Sequence, residues 1–140
     1  MDRQKEKCVV VIDQGLPPGV AANTAAILGI TLGRERPEVV GADVTDRDGG
    51  RHRGIIEFPV PVLRSTAEGI REIREKLSRP ELEELTVVDF SDLAQGCRTY
   101  GEFTEKMGKT PESGLRYFGL AICGDRKKVD RLTGSLPLLR

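Results

Sequence analysis

Cys8-Val-Val-Val-Ile-Asp-Gln-Gly-Leu-Pro-Pro-Gly-Val-Ala-Ala-Asn23 is the stretch that decides the fold class of this chain. Cys8 to Ile12 is short, unbroken and β-branched, which predicts a strand covered on both faces. Asp13 ends the run, and Pro17-Pro18-Gly19 turns the chain. Pro18 suits a helix start, because the N–H it lacks would have no partner there. From Val20 to about Arg34 the spacing is helical, with Ala21, Ala25, Leu28 and Leu32 on one face. A second stripe, Ala22, Ala26, Gly29 and Gly33, contains only small residues. Glycine inside a helix costs about 1 kcal/mol against alanine. The stripe therefore predicts a helix lying close against a sheet and nearly buried.

Downstream, Gly41 to Val62 alternates weakly around Asp48-Gly49-Gly50, a turn signal between two strands. Ile55 to Leu63 is strand-like, but Pro59 and Pro61 remove ladder donors and place it at an edge. Ser65-Thr-Ala-Glu68 has the form of a capping box with Ser65 as the cap. The helix it opens runs to about Ser78, with Ala67, Ile70, Ile73 and Leu77 facing inward. Leu85 to Phe90 is a further strand, and Ser91 caps an irregular, partly helical stretch out to Met107. After a loop over Gly108 to Gly114, Leu115 to Cys123 forms the last strand, and Asp125 caps a short helix through Thr133. This order predicts one domain over residues 1–140, a three-layer α/β/α architecture. Its sheet is expected to be mixed and mainly parallel, with about four core strands, the last antiparallel, and a hairpin extension.

Composition narrows the function. Of 140 residues, 38% are hydrophobic and only 4% aromatic, with no Trp, so stacking groups for single-stranded nucleic acid are few. Lys plus Arg equals Asp plus Glu at 22 each, whereas a grip on phosphate backbone takes a basic excess; nucleic acid is not an expected partner. No apolar run reaches a membrane span, and Met1 to Lys7 is too polar for a signal peptide. Cys8, Cys97 and Cys123 are odd in number, far apart and without zinc spacing. Reduced thiols, a cytoplasmic location and no metal or other cofactor are expected.

Two segments carry a resemblance. Asp13 to Leu32, with its Pro17-Pro18-Gly19-Val-Ala-Ala-Asn23 turn, resembles the first strand-turn-helix of the type II peptidyl-tRNA hydrolases. Phe118-Gly-Leu-Ala-Ile-Cys-Gly124 followed by Val129-Asp-Arg-Leu-Thr-Gly134 is similar to that family's last strand and helix. Over most of its length the chain also resembles an uncharacterised bacterial domain-of-unknown-function family grouped with that fold. The segments carrying this second likeness are Lys7 to Asp13, Leu16 to Asn23 and Val40 to Val44. The resemblance implies a peptidyl-tRNA hydrolase II-like fold and a homodimer. It does not imply the hydrolase activity. Pro17 and Gly19 stand where the hydrolases place lysines, and the acidic strand end is met only by Asp89.

Candidate sites follow from the expected topology, since ligands of open α/β sheets sit beyond the carboxyl ends of parallel strands. Asp13, Pro18, Gly19 and Asn23 gather there, where free N–H groups at the helix start accept an anion or a carbonyl oxygen. Cys97 and Arg98 join them as ligand-binding candidates, the arginine being able to lower a neighbouring thiol's pKa. Asp89, Ser91 and Thr99 are the candidate catalytic set of a hydrolase or transferase acting on an ester or amide. The reading preferred on sequence is a small cytosolic protein binding a small anionic or carbonyl ligand, and whether it is an enzyme is left open. His52, the lone histidine, would form a dyad with Cys97 only if two distant loops met.

Overall fold

A computed structural model of the chain describes residues 4–140; Met1 to Arg3, part of the polar start read above, lie outside the described residues. The apolar run becomes β1 (Glu6–Asp13), and Pro18 opens α1 (Pro18–Glu35). A two-residue hairpin follows, β2 (Val44–Thr45) and β3 (Arg51–His52). Asp46 ties its turn, accepting from the Asp48 and Gly50 N–H groups at 2.9 Å each. Then come β4 (Val62–Ser65), α2 (Ala67–Lys76), β5 (Thr86–Ser91), α3 (Asp92–Gly96), α4 (Tyr100–Gly108), β6 (Tyr117–Asp125) and α5 (Arg126–Thr133).

The main sheet has the order β4-β1-β6-β5. β1 pairs parallel with β4, and β6 pairs antiparallel with both β1 and β5. Three strands thus run one way and the last runs against them, as expected. The mainly parallel sheet is corrected, however: because β6 inserts between β1 and β5, only one of the three ladders is parallel. Alternate residues of each strand feed opposite faces. Val9, Val11, Leu120 and Ile122 pack with Ile70, Ile73, Leu77 and Val129 on one side. Val10, Ile12 and Ala121 pack with Leu28, Leu32 and Phe90 on the other. The result is three layers, with α2 and α5 on one face and α1 on the other.

Three local expectations are corrected. The small-residue stripe of α1 faces outward: Ala22, Ala26 and Gly29 are exposed, and a Cβ at Gly29 or Gly33 would meet nothing within 4 Å. The helix is half covered, through Ala21, Thr24, Leu28 and Leu32, and Ile30 stands 76% exposed. The close approach is instead made by the sheet. A Cβ on Gly119 would come within 2.9 Å of both Thr24 Cγ2 and the Val11 carbonyl oxygen. At α2 the cap is Thr66, whose Oγ1 accepts from the Gly69 N–H at 3.0 Å. Ser65 is held in β4, its carbonyl accepting from the Gln14 N–H, so the cap falls one residue later than the sequence motif suggests. Finally, Cys8 and Cys123 face each other across β1 and β6 and form a disulfide, in place of two reduced thiols.

Candidate functional site

At the head of α1, Asp13 is only 3% exposed and its carboxylate is fully engaged. Oδ1 accepts from the Gly15 N–H at 2.9 Å, closing the turn after β1, and Oδ2 accepts from Arg116 Nη2 at 2.7 Å. A buried carboxylate requires such a counter-charge. Arg116 lies just before β6, its side chain is 54% exposed, and its guanidinium sits 6.0 Å from the Phe118 ring centroid. Its backbone N–H donates to Asp92 Oδ1 at 3.1 Å, which fastens β6 to the start of α3. Sequence reasoning overlooked Arg116, although a lone aspartate ending a buried strand signals that some cation must reach it. Pro18 and Gly19 form the first turn of α1 without a side-chain cap, and Gly19 borders open space. Asn23 Nδ2 donates to Gln95 Oε1 at 3.2 Å, linking α1 to α3.

The three residues chosen as catalytic do not converge. Ser91 is buried and caps α3, its Oγ accepting from the Ala94 N–H at 3.4 Å. Thr99 caps α4 by accepting from the Glu102 N–H at 3.1 Å. Asp89 alternates with Val88 and Phe90, both of which belong to the α1-side cluster. Its carboxylate therefore points to the α2 side, where Arg74 Nε donates to Oδ2 at 3.4 Å. On that side Tyr117 donates to Glu112 Oε1 at 3.0 Å beneath the Arg71 guanidinium, which lies 5.4 Å from the ring centroid. Burial, and then the neighbouring Glu112 and Asp89 charges, push the Tyr117 phenol up to about 12. Arg71 in turn donates to Glu112 at 2.9 Å and to the Leu115 carbonyl, so the charges here neutralise one another.

What does converge is the lining of a cavity of about 540 Å³ between α1 and the β5-α3-α4 segment. Asp89, Ser91, Cys97, Arg98 and Thr99, chosen from sequence, all border it. Ile27, Phe90, Tyr100 and Phe103 give it an apolar and aromatic wall. Tyr100 is 80% exposed and meets Phe103 edge to face, with centroids 5.5 Å apart. Arg34 and Arg98 contribute two cations. The Arg98 side chain makes no ion pair among the described residues, and Arg34 bonds only the exposed Glu35, at 3.0 Å. Because Asp89 is turned toward Arg74, no carboxylate of the lining neutralises this pair. Asp13, Pro18, Gly19 and Asn23 are not among its lining residues.

Cys97 is a half-buried free thiol in that wall. His52 borders a different cavity, of about 640 Å³, beside the hairpin, where its Nε2 lies 2.7 Å from Asp46 Oδ2. This contact, with the Gly50 and Asp48 N–H groups, holds the Asp46 carboxyl below the usual aspartate range. The two residues of the imagined dyad thus line separate cavities. Among the described residues no group of three or more His, Cys, Asp or Glu side chains is arranged to hold a metal ion. Nor is any described helix long and apolar enough to cross a membrane.

No curated protein matches the sequence. Among solved structures, a protein of unknown function from Agrobacterium tumefaciens strain C58 superposes with a TM-score of 0.85 at 19% identity. The match covers 96% of this chain and 97% of that one, so the fold is shared from end to end. Residues 6–140 match the family model described as "Protein of unknown function (DUF2000)", and the chain belongs to that family.

Proposed function

We propose that this protein is a single-domain binding module on a peptidyl-tRNA hydrolase II-like scaffold. Its ligand brings a small anionic or carbonyl group and a flat apolar part into the cavity between α1 and β5-α3-α4. The observation that carries this reading is the pairing of Arg34 and Arg98 with Ile27, Phe90, Tyr100 and Phe103 around one cavity. Its volume falls in the range of small-molecule sites, and such sites combine an apolar wall with a few convergent polar groups. Ser91 and Thr99 serve as helix caps and Asp89 faces Arg74, which favours binding over ester or amide hydrolysis by these three residues. The first turn of α1 carries no side-chain cap, so Pro18 and Gly19 are a second place for an anion, although Arg116 is already committed to Asp13 and Asn23 to Gln95. Homodimerisation belongs to the same proposal, on the strength of the exposed Ile30, Ile55 and Tyr100 side chains; sedimentation over a concentration series tests it.

The deciding experiment is a thermal-shift screen of benzoate, indole-3-acetate, nucleoside monophosphates and inorganic phosphate. Binding to the native state raises the melting temperature by mass action. An aromatic acid is expected to raise it by several degrees in the wild type and to do nothing in the Arg34→Ala/Arg98→Ala double variant. Turnover of an ester or amide panel, abolished by Asp89→Asn at unchanged melting temperature, would replace binding by hydrolysis.

A further inference from the structure

The sheet has two edges, and they are treated differently. β4 carries the C-terminal tail: the Arg64 N–H donates to the Pro137 carbonyl at 2.9 Å, and the Leu139 N–H to the Val62 carbonyl at 2.8 Å. Leu63 and Leu138 form an antiparallel bridge there. β5 stands at the other end of the strand order, and among the described residues no segment pairs with its outer side. Alternate N–H and C=O groups along such a strand point away from the sheet without a ladder partner.

This open edge and the cavity are one feature, since Val88, Asp89, Phe90 and Ser91 belong to both. A ligand in the cavity therefore meets a strand edge, two arginines and an apolar, aromatic wall together. We infer that the occupant is an extended acidic peptide segment that adds to β5 as a further strand and places a carboxylate at Arg34 and Arg98. Main-chain bonds to an edge supply affinity in this mode, and pockets for alternate side chains supply selectivity. Six residues of β5, at about 3.3 Å each, can pair with a segment of similar length. The charge of the lining selects the sign: Arg98 makes no ion pair among the described residues, Arg34 pairs only with the exposed Glu35, and the Asp89 carboxylate is directed to Arg74 on the other face. A second copy of β5 fits less well at this edge, because it would bring another Arg34 and Arg98 to the same seam, and like charges oppose such a pairing.

The inference rests on the cavity being the ligand site, and the test separates the two. A pooled library of hexapeptides built from Val, Thr, Phe, Asp and Glu is passed over the immobilised protein, beside a pool in which Lys replaces Asp and Glu. At least tenfold stronger retention of the acidic pool is expected. N-methylation of alternate backbone amides in a retained peptide should weaken it tenfold or more, and Arg34→Glu/Arg98→Glu should do the same. Both arginines are exposed, so the double variant is expected to keep its circular dichroism spectrum and melting temperature. Peptide binding should also slow hydrogen exchange within Thr86 to Phe90. Equal retention of both pools, insensitivity to N-methylation, or self-association through β5 would overturn the inference. Benzoate binding with no peptide retained would overturn it while leaving the cavity as a small-anion site. Neither bound would remove both.

Discussion

The two edges of the sheet make the most informative comparison in the molecule. β4 is approached through Pro59 and Pro61, is only four residues long, and is closed by the chain's own end. β5 has six residues, no proline and no lysine, and Asp89 is its one charge. Natural sheets usually blunt an edge by shortening it, charging it or covering it. β4 uses all three, being short, carrying Arg64 and lying under the tail, whereas β5 has only the charge of Asp89 and a register shift at Phe90/Ser91. The bare edge borders an aromatic, cationic cavity, and the closed edge is covered by the tail. The difference teaches that the C-terminal tail is part of the architecture, while the β5 margin is left to border the cavity.

That contrast can be broken at its centre. Both edges are carried by β1 and β6, over which α1 is seated at Gly119. Gly119→Val drives methyl groups against Thr24 and the Val11 carbonyl, and should cost about 3 kcal/mol. Urea denaturation should show the midpoint falling at unchanged slope; an unaltered midpoint would mean that α1 can lift away. Next in size is truncation after Ser135, which strips β4 of its cover and removes its two backbone hydrogen bonds to the tail, a third from Leu136 to Thr133, and the contacts of Leu136 and Leu139. A loss of about 2 kcal/mol is expected, together with concentration-dependent aggregation seen by light scattering. Ligand binding at the β5 side should survive it.

Smaller effects sharpen the picture at the β5 end. Ser91→Ala removes the cap of α3 and should cost about 1 kcal/mol. Hydrogen exchange should then accelerate in residues 92–96 and leave β4 unchanged. Tyr117 lies opposite Ser91 in the ladder, and its phenol is raised from an ordinary 10 to about 12 in the folded state. The unfolded chain therefore loses this proton first. The stability tied to the protonated phenol is fully present below pH 10 and is lost as pH rises toward 12. In a Tyr100→Phe background, absorbance at 295 nm should show the remaining phenol ionising only near the top of that window, and Glu112→Gln should bring it down.

Much of the scaffold was legible because it is written in local pattern. The β-branched run of β1, the turn at Asp48-Gly49-Gly50, and the caps at Ser91 and Asp125 all appear where their residues imply. α1 was misread for a physical reason. Two stripes of its surface were apolar or small, and periodicity alone does not say which one meets the sheet. The deciding residue, Gly119, lies almost a hundred positions away and reveals its role only once β6 sits beside β1. The site was half legible for the same reason. Cys97, Arg98 and Thr99 were singled out as a polar segment next to Asp89 and Ser91, and they do share a cavity. Arg34 and Arg116, which supply charge from other elements, needed three-dimensional neighbours to be recognised.

The Cys8–Cys123 bond spans 115 positions and so turns most of the chain into a covalent ring. Every loop from the hairpin to α4 lies inside that ring, while α5 and the tail that closes β4 hang outside it as a free arm. A protease that nicks the exposed turn at Asp48-Gly49 would leave both fragments joined, migrating as one species until a reductant is added. Heat or urea would likewise release a closed loop with an appendage rather than a linear polymer, so the denatured ensemble starts out smaller than its length suggests.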